Sequence, residues 1–176
     1  MSKVENIDVR TFVSKEVFAI HGQGSWQFVS DNIVKLYLFT EKFFNDYYKA
    51  KDLTIEKVVI VVNDYHTKIL GGIFSNRGLR TVKYINDQIA AGKKTAMLSQ
   101  HIGGSTNAQD INVVIYYKGG RTRVVPSNEV YDTILLNEKV FMEAGLTTLE
   151  NKTMTSGWTH MDCRFTGLDK LYIVNP

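Results

Sequence analysis

The sequence is poor in the residues that mark disulfide scaffolds, flexible linkers and membrane spans. Its 176 residues include one cysteine and two prolines, and a single cysteine excludes an internal disulfide framework and a cysteine-rich zinc cluster. No run approaches the ~18 consecutive apolar residues of a transmembrane helix. The first residues lack the basic start and apolar core of a secretory signal, so we expect neither a membrane span nor a cleaved leader.

Charge of one sign is also scarce. The formal net charge is +3, and charged residues make up 22% of the chain. Because this small excess is scattered and forms no basic run, it does not predict a nucleic-acid-binding surface. The hydrophobic fraction of 44% is typical of a globular protein, and nothing in the sequence marks a linker or a repeat. We therefore predict a single domain spanning residues 1–176.

Two segments have the hydrophobic spacing of helices. The clearer one runs from Phe28 to Tyr48, where apolar and aromatic side chains recur at helical spacing and predict a face packed on the core. A second helix is predicted from Ser127 to Ala144, because a proline precedes it and Gly145 ends it. The glycine- and asparagine-rich segment from Gly71 to Gly104 is predicted to form loops, where functional sites are often found.

Runs of β-branched and apolar residues predict the strands. Four segments qualify, the last two of them short: Ile55–Val62, Asp110–Tyr117, Trp158–Phe165 and Leu171–Val174. Because the predicted helices and strands do not alternate strictly, we predict an α+β fold with a small antiparallel sheet and helices packed around it.

The predicted strand around His160 separates polar from apolar side chains, because successive side chains point to opposite sides of a strand. One face carries the polar set, Trp158, His160, Asp162 and Arg164. The other face carries Thr159, Met161, Cys163 and Phe165. We expect the first face to line a polar cleft and the second to join the core. Cys163 is therefore predicted to be a small buried hydrophobic residue and not a nucleophile.

A second candidate segment runs from His101 to Asp110, with a glycine turn between the histidine and the carboxylate. Three nitrogen and oxygen ligands with one open position are the usual composition of a catalytic zinc site, although iron, cobalt or manganese would suit the same donors. His101, Asp110 and His160 therefore form a candidate metal site. On spacing alone, a structural or exposed histidine is the more frequent alternative, and we predict that His21 and His66 have such roles.

Four short elements follow one another in a recognisable order. They are Gly78-Leu79-Arg80, Leu98-Ser99-Gln100-His101, Ala108-Gln109-Asp110-Ile111 and Trp158-Thr159-His160-Met161-Asp162. This order resembles the zinc D-Ala-D-Ala carboxypeptidase and L-Ala-D-Glu endopeptidase family, which has the Hedgehog/DD-peptidase fold, and in particular its bacteriophage-encoded members. An ordered set of separated elements is more specific than any one short motif.

The resemblance implies a peptidase that uses one zinc ion to cleave a peptide bond in the peptidoglycan stem, either as a phage endolysin or as a virion-associated lysin. It implies His101, Asp110 and His160 as zinc ligands, Arg80 as a catalytic and substrate-binding residue, and Ser99 as a supporting substrate-binding residue. The implied partners are peptidoglycan stem peptides and, for a virion component, other virion proteins, with no nucleic acid and no membrane. The implied location is the host cytoplasm until lysis, or the virion.

Two departures from the family pattern leave alternatives open. The step from His101 to Asp110 is nine residues, longer than is usual, and the extra residues lie in a glycine-rich stretch able to bulge outward. Gly157 stands where many members have a glutamate as general base, which leaves Asp162 and Glu150 as candidates. Asp162 could instead orient His160 as a hydrogen-bond partner. A non-catalytic virion or wall-binding protein with the same fold, and a zinc amidase or other hydrolase acting on another bond, are the alternative functions.

Overall fold

The computed structural model describes residues 6–93, 100–102, 107–155 and 157–175. The helices are α1 Lys15–His21, α2 Asp31–Lys49, α3 Val82–Ala90, α4 Ser127–Leu136 and α5 Glu138–Glu143. The strands are β1 Ile55–Val61, β2 Ala108–Tyr117, β3 Thr122–Val124, β4 Thr148–Glu150, β5 Thr159–Asp162 and β6 Tyr172–Val174. Short 3-10 helices, Val9–Thr11 and Gly22–Phe28, flank α1. Across the described ranges, no helix combines the length and apolar character needed to cross a membrane.

Helix α2 confirms the clearest helix prediction, with a start three residues later than expected. The side chain of Ser30 accepts a hydrogen bond from the backbone N–H of Asn32, and Asp31 places a negative charge in the first turn. The face towards the core carries Ile33, Leu36, Tyr37, Thr40, Phe44 and Tyr48. Phe28, the predicted first residue of the helix, instead ends a 3-10 helix over residues 22–28. Helix α2 begins after the cap at Ser30.

The six strands form one mixed sheet in the order β1-β2-β5-β4-β6, with β3 paired to β2. The predicted α+β class is confirmed, but the purely antiparallel sheet is wrong, because β4 and β6 run parallel. Strands β4 and β5 are antiparallel neighbours, and β6 lies on the other side of β4. The chain reverses again after β5, so β6 runs in the direction of β4.

The central strand β2 has two different faces. Ile111, Val113 and Ile115 belong to the main hydrophobic cluster and are at most 1% exposed. Asp110 and Asn112 alternate with them, so they point to the opposite side of the sheet. Both polar residues are buried, which means that their side chains need partners. The candidate metal site therefore lies on the face of β2 that does not enter the main core.

The same separation of a core face from a polar face holds along β5 but does not continue beyond the end of the strand. Met161 is fully buried in the core, while His160 and Asp162 lie on the other face. The prediction that Phe165 belongs to the core is wrong, because its side chain is 96% exposed. Strand β5 ends at Asp162, so the alternation of faces does not extend to residue 165. Cys163 is half-buried against the core cluster.

Two further predictions need correction. The single helix predicted over 127–144 is two helices, because the side chain of Asn137 donates a hydrogen bond to the Thr133 carbonyl and interrupts the helix there. The segment predicted to be loops contains α3, which begins where the Thr81 side chain accepts a hydrogen bond from the Tyr84 N–H. Its one buried residue is Ile85, and the glycines and asparagines on either side of the helix had favoured loops over its helical spacing.

Candidate metal centre

Asp110 and His160 are brought together by the pairing of β2 and β5. They are direct partners in the antiparallel register, and both side chains lie on the face away from the main core. Opposed side chains on one face of such a pair are close neighbours. The Nδ1 atom of His160 is 2.9 Å from Oδ1 of Asp110. Two residues that are 50 positions apart in the sequence therefore form one contact.

His101 reaches this pair because the ends of its loop close on each other. The N–H of Asn107 donates to the carbonyl of Gln100 at 3.3 Å, and the N–H of Arg80 donates to the carbonyl of His101 at 2.7 Å. The long sequence separation between His101 and Asp110 therefore does not prevent the two side chains from meeting, as predicted. Residues 103–106 and Ser99, the predicted supporting residue, lie outside the described part of the chain.

Three donor atoms converge on one point. The Nε2 atom of His101 is 3.4 Å from both Oδ1 of Asp110 and Nδ1 of His160. With bonds of about 2.0–2.1 Å to a tetrahedral zinc ion, ligand atoms lie about 3.3 Å apart. The exposed fractions are 4% for His101, 4% for Asp110 and 8% for His160. This buried group could hold a metal ion, and the predicted three-ligand set is brought together by the fold.

The charges of the group favour a cation. Burial opposes ionisation of Asp110, but its interactions with His101 and His160 hold the pKa of that carboxyl well below its usual range. Burial lowers the pKa of His101. Burial also acts to lower the pKa of His160, yet its hydrogen bonds to the Asp110 and Asp162 carboxylates outweigh burial and raise that pKa to about 9. Because metals bind unprotonated imidazole, an ion would take the place of a proton here.

Hydrogen-bond partners outside the group fix the orientation of two of its three side chains, those of Asp110 and His160. The Nη2 atom of Arg80 donates to Oδ2 of Asp110 at 2.9 Å. The Nε2 atom of His160 lies 3.3 Å from Oδ2 of Asp162, and Arg164 donates from Nε to both oxygens of that carboxylate. Carboxylate partners of this kind set the tautomer and the ring orientation of metal-binding histidines.

Glu150 lies beside the group on the next strand. Because Leu149 pairs with Met161 in the register of β4 and β5, the following residue of β4 falls next to His160. The Oε2 atom of Glu150 is 3.9 Å from Nδ1 of His160. Its side chain is half-buried, and this burial raises the pKa of the carboxyl. The sequence placed Glu150 near the site only by its charge and position, and the sheet explains the proximity.

A cleft of about 320 Å³ opens beside Asp110. Its walls include Phe74, Arg77, Arg80, Tyr84, Asp110 and Trp158. Arg80 and Trp158 were predicted from the sequence to face this site, whereas Arg77 was not. The available signal was a second arginine three residues before Arg80. His21 and His66 do not belong to the ligand group found among the described residues.

The wall at Phe74 is held by a buried carboxylate. Asp64 accepts hydrogen bonds from the backbone N–H groups of Leu70, Gly72 and Phe74 at 2.8–2.9 Å. Asp64 itself is fully buried. Satisfied buried carboxylates of this kind order the surrounding loop, so the cleft has a defined wall.

Cys163 is expected to be an unreactive thiol in the folded protein. Burial raises its pKa to about 12, whereas an exposed thiol has a pKa of about 8.5, so the thiolate fraction at pH 8 falls about a thousandfold. Labelling with a chromogenic disulfide reagent should therefore be about a thousand times slower in the native protein than in urea. A native thiol that reacts at the rate of the unfolded chain would contradict this expectation.

Comparisons with protein-family models, with curated proteins and with solved structures gave no match to this chain. The geometry of the site consists of a buried His–Asp–His group, a neighbouring glutamate and an arginine-lined cleft.

Proposed function

We propose that the protein is a zinc-dependent peptidase that cleaves a peptide bond in the peptidoglycan stem. The observation that carries the proposal is the convergence of His101 Nε2, Asp110 Oδ1 and His160 Nδ1 at the edge of a cleft. Two imidazoles and a carboxylate are the donors that zinc prefers in hydrolases. The ordered elements that resemble the zinc carboxypeptidase and endopeptidase family support the choice of substrate.

A zinc ion held by these three residues would supply Lewis-acid polarisation of the scissile carbonyl and activation of a water molecule. The side chains around the three ligands would carry out the remaining chemistry. Arg80 is held through Asp110 and lines the cleft. Its Nε atom is buried with no hydrogen-bond partner among the described residues. A guanidinium in this position can donate to a substrate oxygen on which negative charge develops.

Glu150 is the better candidate for the general base. Its carboxylate lies on the Nδ1 side of His160, which is the side that faces the other two ligand atoms. Burial raises its pKa, which moves a carboxylate towards the range useful for proton transfer near neutral pH. Asp162 instead contacts Nε2 of His160 and is engaged by Arg164. We therefore assign Asp162 as a positioning residue.

Exchange of Glu150 for glutamine is expected to lower kcat by about 10²- to 10⁴-fold while leaving zinc affinity nearly unchanged. Exchange of Asp162 for asparagine is expected to weaken zinc binding by about 10- to 100-fold. Zinc titrations and turnover at saturating zinc separate the two effects. Glu56→Gln, on an exposed position of β1, is the matched control. If Glu150→Gln kept full turnover and zinc-saturated Asp162→Asn lost it, Asp162 would be the general base and Glu150 would not.

The function itself is tested on purified peptidoglycan sacculi. The zinc-loaded protein is expected to release muropeptides whose masses identify one cleaved peptide bond. A chelator should stop the release, and added zinc should restore it. Zinc binding without release of any fragment would overturn the peptidase proposal and favour the non-catalytic wall-binding alternative. Cleavage at an amide bond to the sugar would instead identify an amidase.

A further inference from the structure

A second cleft, larger than the one beside Asp110, lies away from the metal group. It is a groove of about 660 Å³ between residues 169–170 and the corner that joins α4 to α5. Its apolar lining comes from Leu135, Leu136, Val140 and Met142. None of the residues that line this groove belongs to the His–Asp–His group or to the cleft beside Asp110. The groove therefore has no part in the proposed chemistry.

Apolar side chains reach the surface here because the helix is interrupted. Helix α4 ends at Leu136 and α5 begins at Glu138, and the corner between them leaves Leu136 82% exposed. Val140, about one turn later, is 40% exposed, while Leu135 and Met142 are half-buried against the main core. A single exposed leucine is ordinary on a protein surface, but apolar side chains that share one groove are typical of a binding surface.

Both walls of the groove are anchored. The Oε1 atom of Glu138 accepts a hydrogen bond from the backbone N–H of Leu171 at 2.7 Å, which ties the start of α5 to the segment that precedes β6. Phe141 on α5 and Leu171 are both buried in the main hydrophobic cluster. Because the groove is formed in advance, a partner can bind it with little loss of conformational entropy.

Charges of both signs surround the apolar lining. Lys139, Glu143, Asp169 and Lys170 are exposed residues of the groove. Across the described ranges, these four side chains form no ion pair. The groove thus presents two positive and two negative charges that are available to a partner.

This balance of charge indicates what kind of partner fits. A strongly acidic or strongly basic partner is matched by a surface of the opposite sign, and this surface has no excess of either sign. A two-fold symmetric contact between two copies brings the same patch of each copy together. In such a contact each lysine can lie opposite an acid of the other copy, so a balanced patch is complementary to itself.

We propose that this groove is the interface of a symmetric homodimer. Leu136 and Val140 of each copy pack into the groove of the other, and the four charges pair across the two-fold axis. Ten residues line the groove, fewer than the ~20–30 residues a side of a standard interface. The dimer is therefore of the transient class, with a micromolar and not a nanomolar dissociation constant. The proposal does not depend on the peptidase function.

Sedimentation equilibrium of the full chain over roughly 1 µM to 1 mM tests the proposal. The average mass should rise from that of one chain towards that of two. Leu136→Ser should weaken association at least about tenfold, because each dimer buries that side chain twice. Leu53→Ser is the matched control, since Leu53 is 84% exposed but does not line the groove, and it should associate like the wild type. A wild-type protein that stays a single chain at about 1 mM, or equal association of the two variants, would overturn the proposal.

Two charge-exchanged variants test the symmetry of the contact. One carries Lys139→Glu with Lys170→Glu, and the other carries Glu143→Lys with Asp169→Lys. The changes in α5 place an acid in its first turn and a base in its last, which favours the helix. Each variant alone brings like charges together and should associate at least about tenfold more weakly than the wild type.

An equimolar mixture of the two charge-exchanged variants should associate about as tightly as the wild type, because each acidic patch then meets a basic one. A mixture that associates no more tightly than either variant alone would overturn the symmetric contact. Association of each variant alone at the wild-type affinity would also overturn it, because the dimer would then use another face.

The outcome is separable from that of the sacculus experiment. Self-association through the groove without release of fragments would refute the peptidase function and leave the dimer. Release of fragments by a protein that stays a single chain at about 1 mM would refute the dimer alone.

Discussion

Replacing His101 with alanine is expected to weaken zinc binding by well over the ~100-fold that loss of a hydrogen-bond partner of a ligand causes, and to abolish the proposed peptidase activity. Its Nε2 atom supplies one of three converging donors, so the variant would hold zinc through only two side chains. His101 lies outside the strands, and its removal leaves the pairing of β2 with β5 in place. Competition with a chromophoric chelator measures the change in affinity.

The matched control is His21→Ala. His21 is exposed, its aromatic contact is to Phe28, and it does not belong to the ligand group found among the described residues. This variant should keep the zinc stoichiometry, the affinity and the activity of the wild type. Equal zinc affinity in the His101→Ala and His21→Ala proteins would show that His101 is not a ligand. Circular dichroism of both variants verifies that the fold is retained.

Replacing Gly78 with alanine is expected to destabilise the protein by more than about 3 kcal/mol, or to prevent folding. Gly78 has a φ of 73°, and an added Cβ would lie 2.1 Å from the carbonyl oxygen of Phe12 and 2.6 Å from its carbon. These are backbone atoms, so the two segments must separate. The separation breaks the hydrogen bonds from the Leu79 N–H to the Phe12 carbonyl and from the Ser14 N–H to the Leu79 carbonyl.

Gly92→Ala is a close control for this change. Gly92 has the same φ of 73°, but an added Cβ meets nothing within 4 Å. It should cost only the ~1–2 kcal/mol of a left-handed alanine. The difference between the unfolding free energies of the two variants in urea measures the cost of the clash. The clash is also expected to displace Arg77 and Arg80, which lie on either side of Gly78. Equal losses of unfolding free energy would contradict the close approach of residues 12 and 78.

The elements that could be predicted from the sequence have long or strongly patterned signals. Helix α2 has a cap and a repeating apolar face, and β2 is almost wholly buried. The alternation in β5 correctly separates His160 from Met161. The convergence of His101, Asp110 and His160 followed from the resemblance, since their spacing alone left it open.

The features that could not be predicted depend on partners far away in the sequence. Strand β4 has three residues, too few to show a period, and its pairing with β5 is what brings Glu150 to His160. The burial of the Arg77 guanidinium in the cleft wall depends on a contact that the sequence does not show, because the side-chain oxygen of Asn112, 35 residues later, accepts its hydrogen bond. Phe165 continues the alternation of β5 in the sequence, but the strand ends at Asp162.

The central claim is that His101, Asp110 and His160 are the ligands of one zinc ion. A zinc X-ray absorption spectrum of the loaded protein tests it most directly, because imidazole rings give a distinct multiple-scattering pattern. We predict one zinc per chain, with two imidazole nitrogens and carboxylate oxygen at about 2.0–2.1 Å. A spectrum without two imidazoles, or with sulfur at about 2.3 Å from Cys163, would contradict the account.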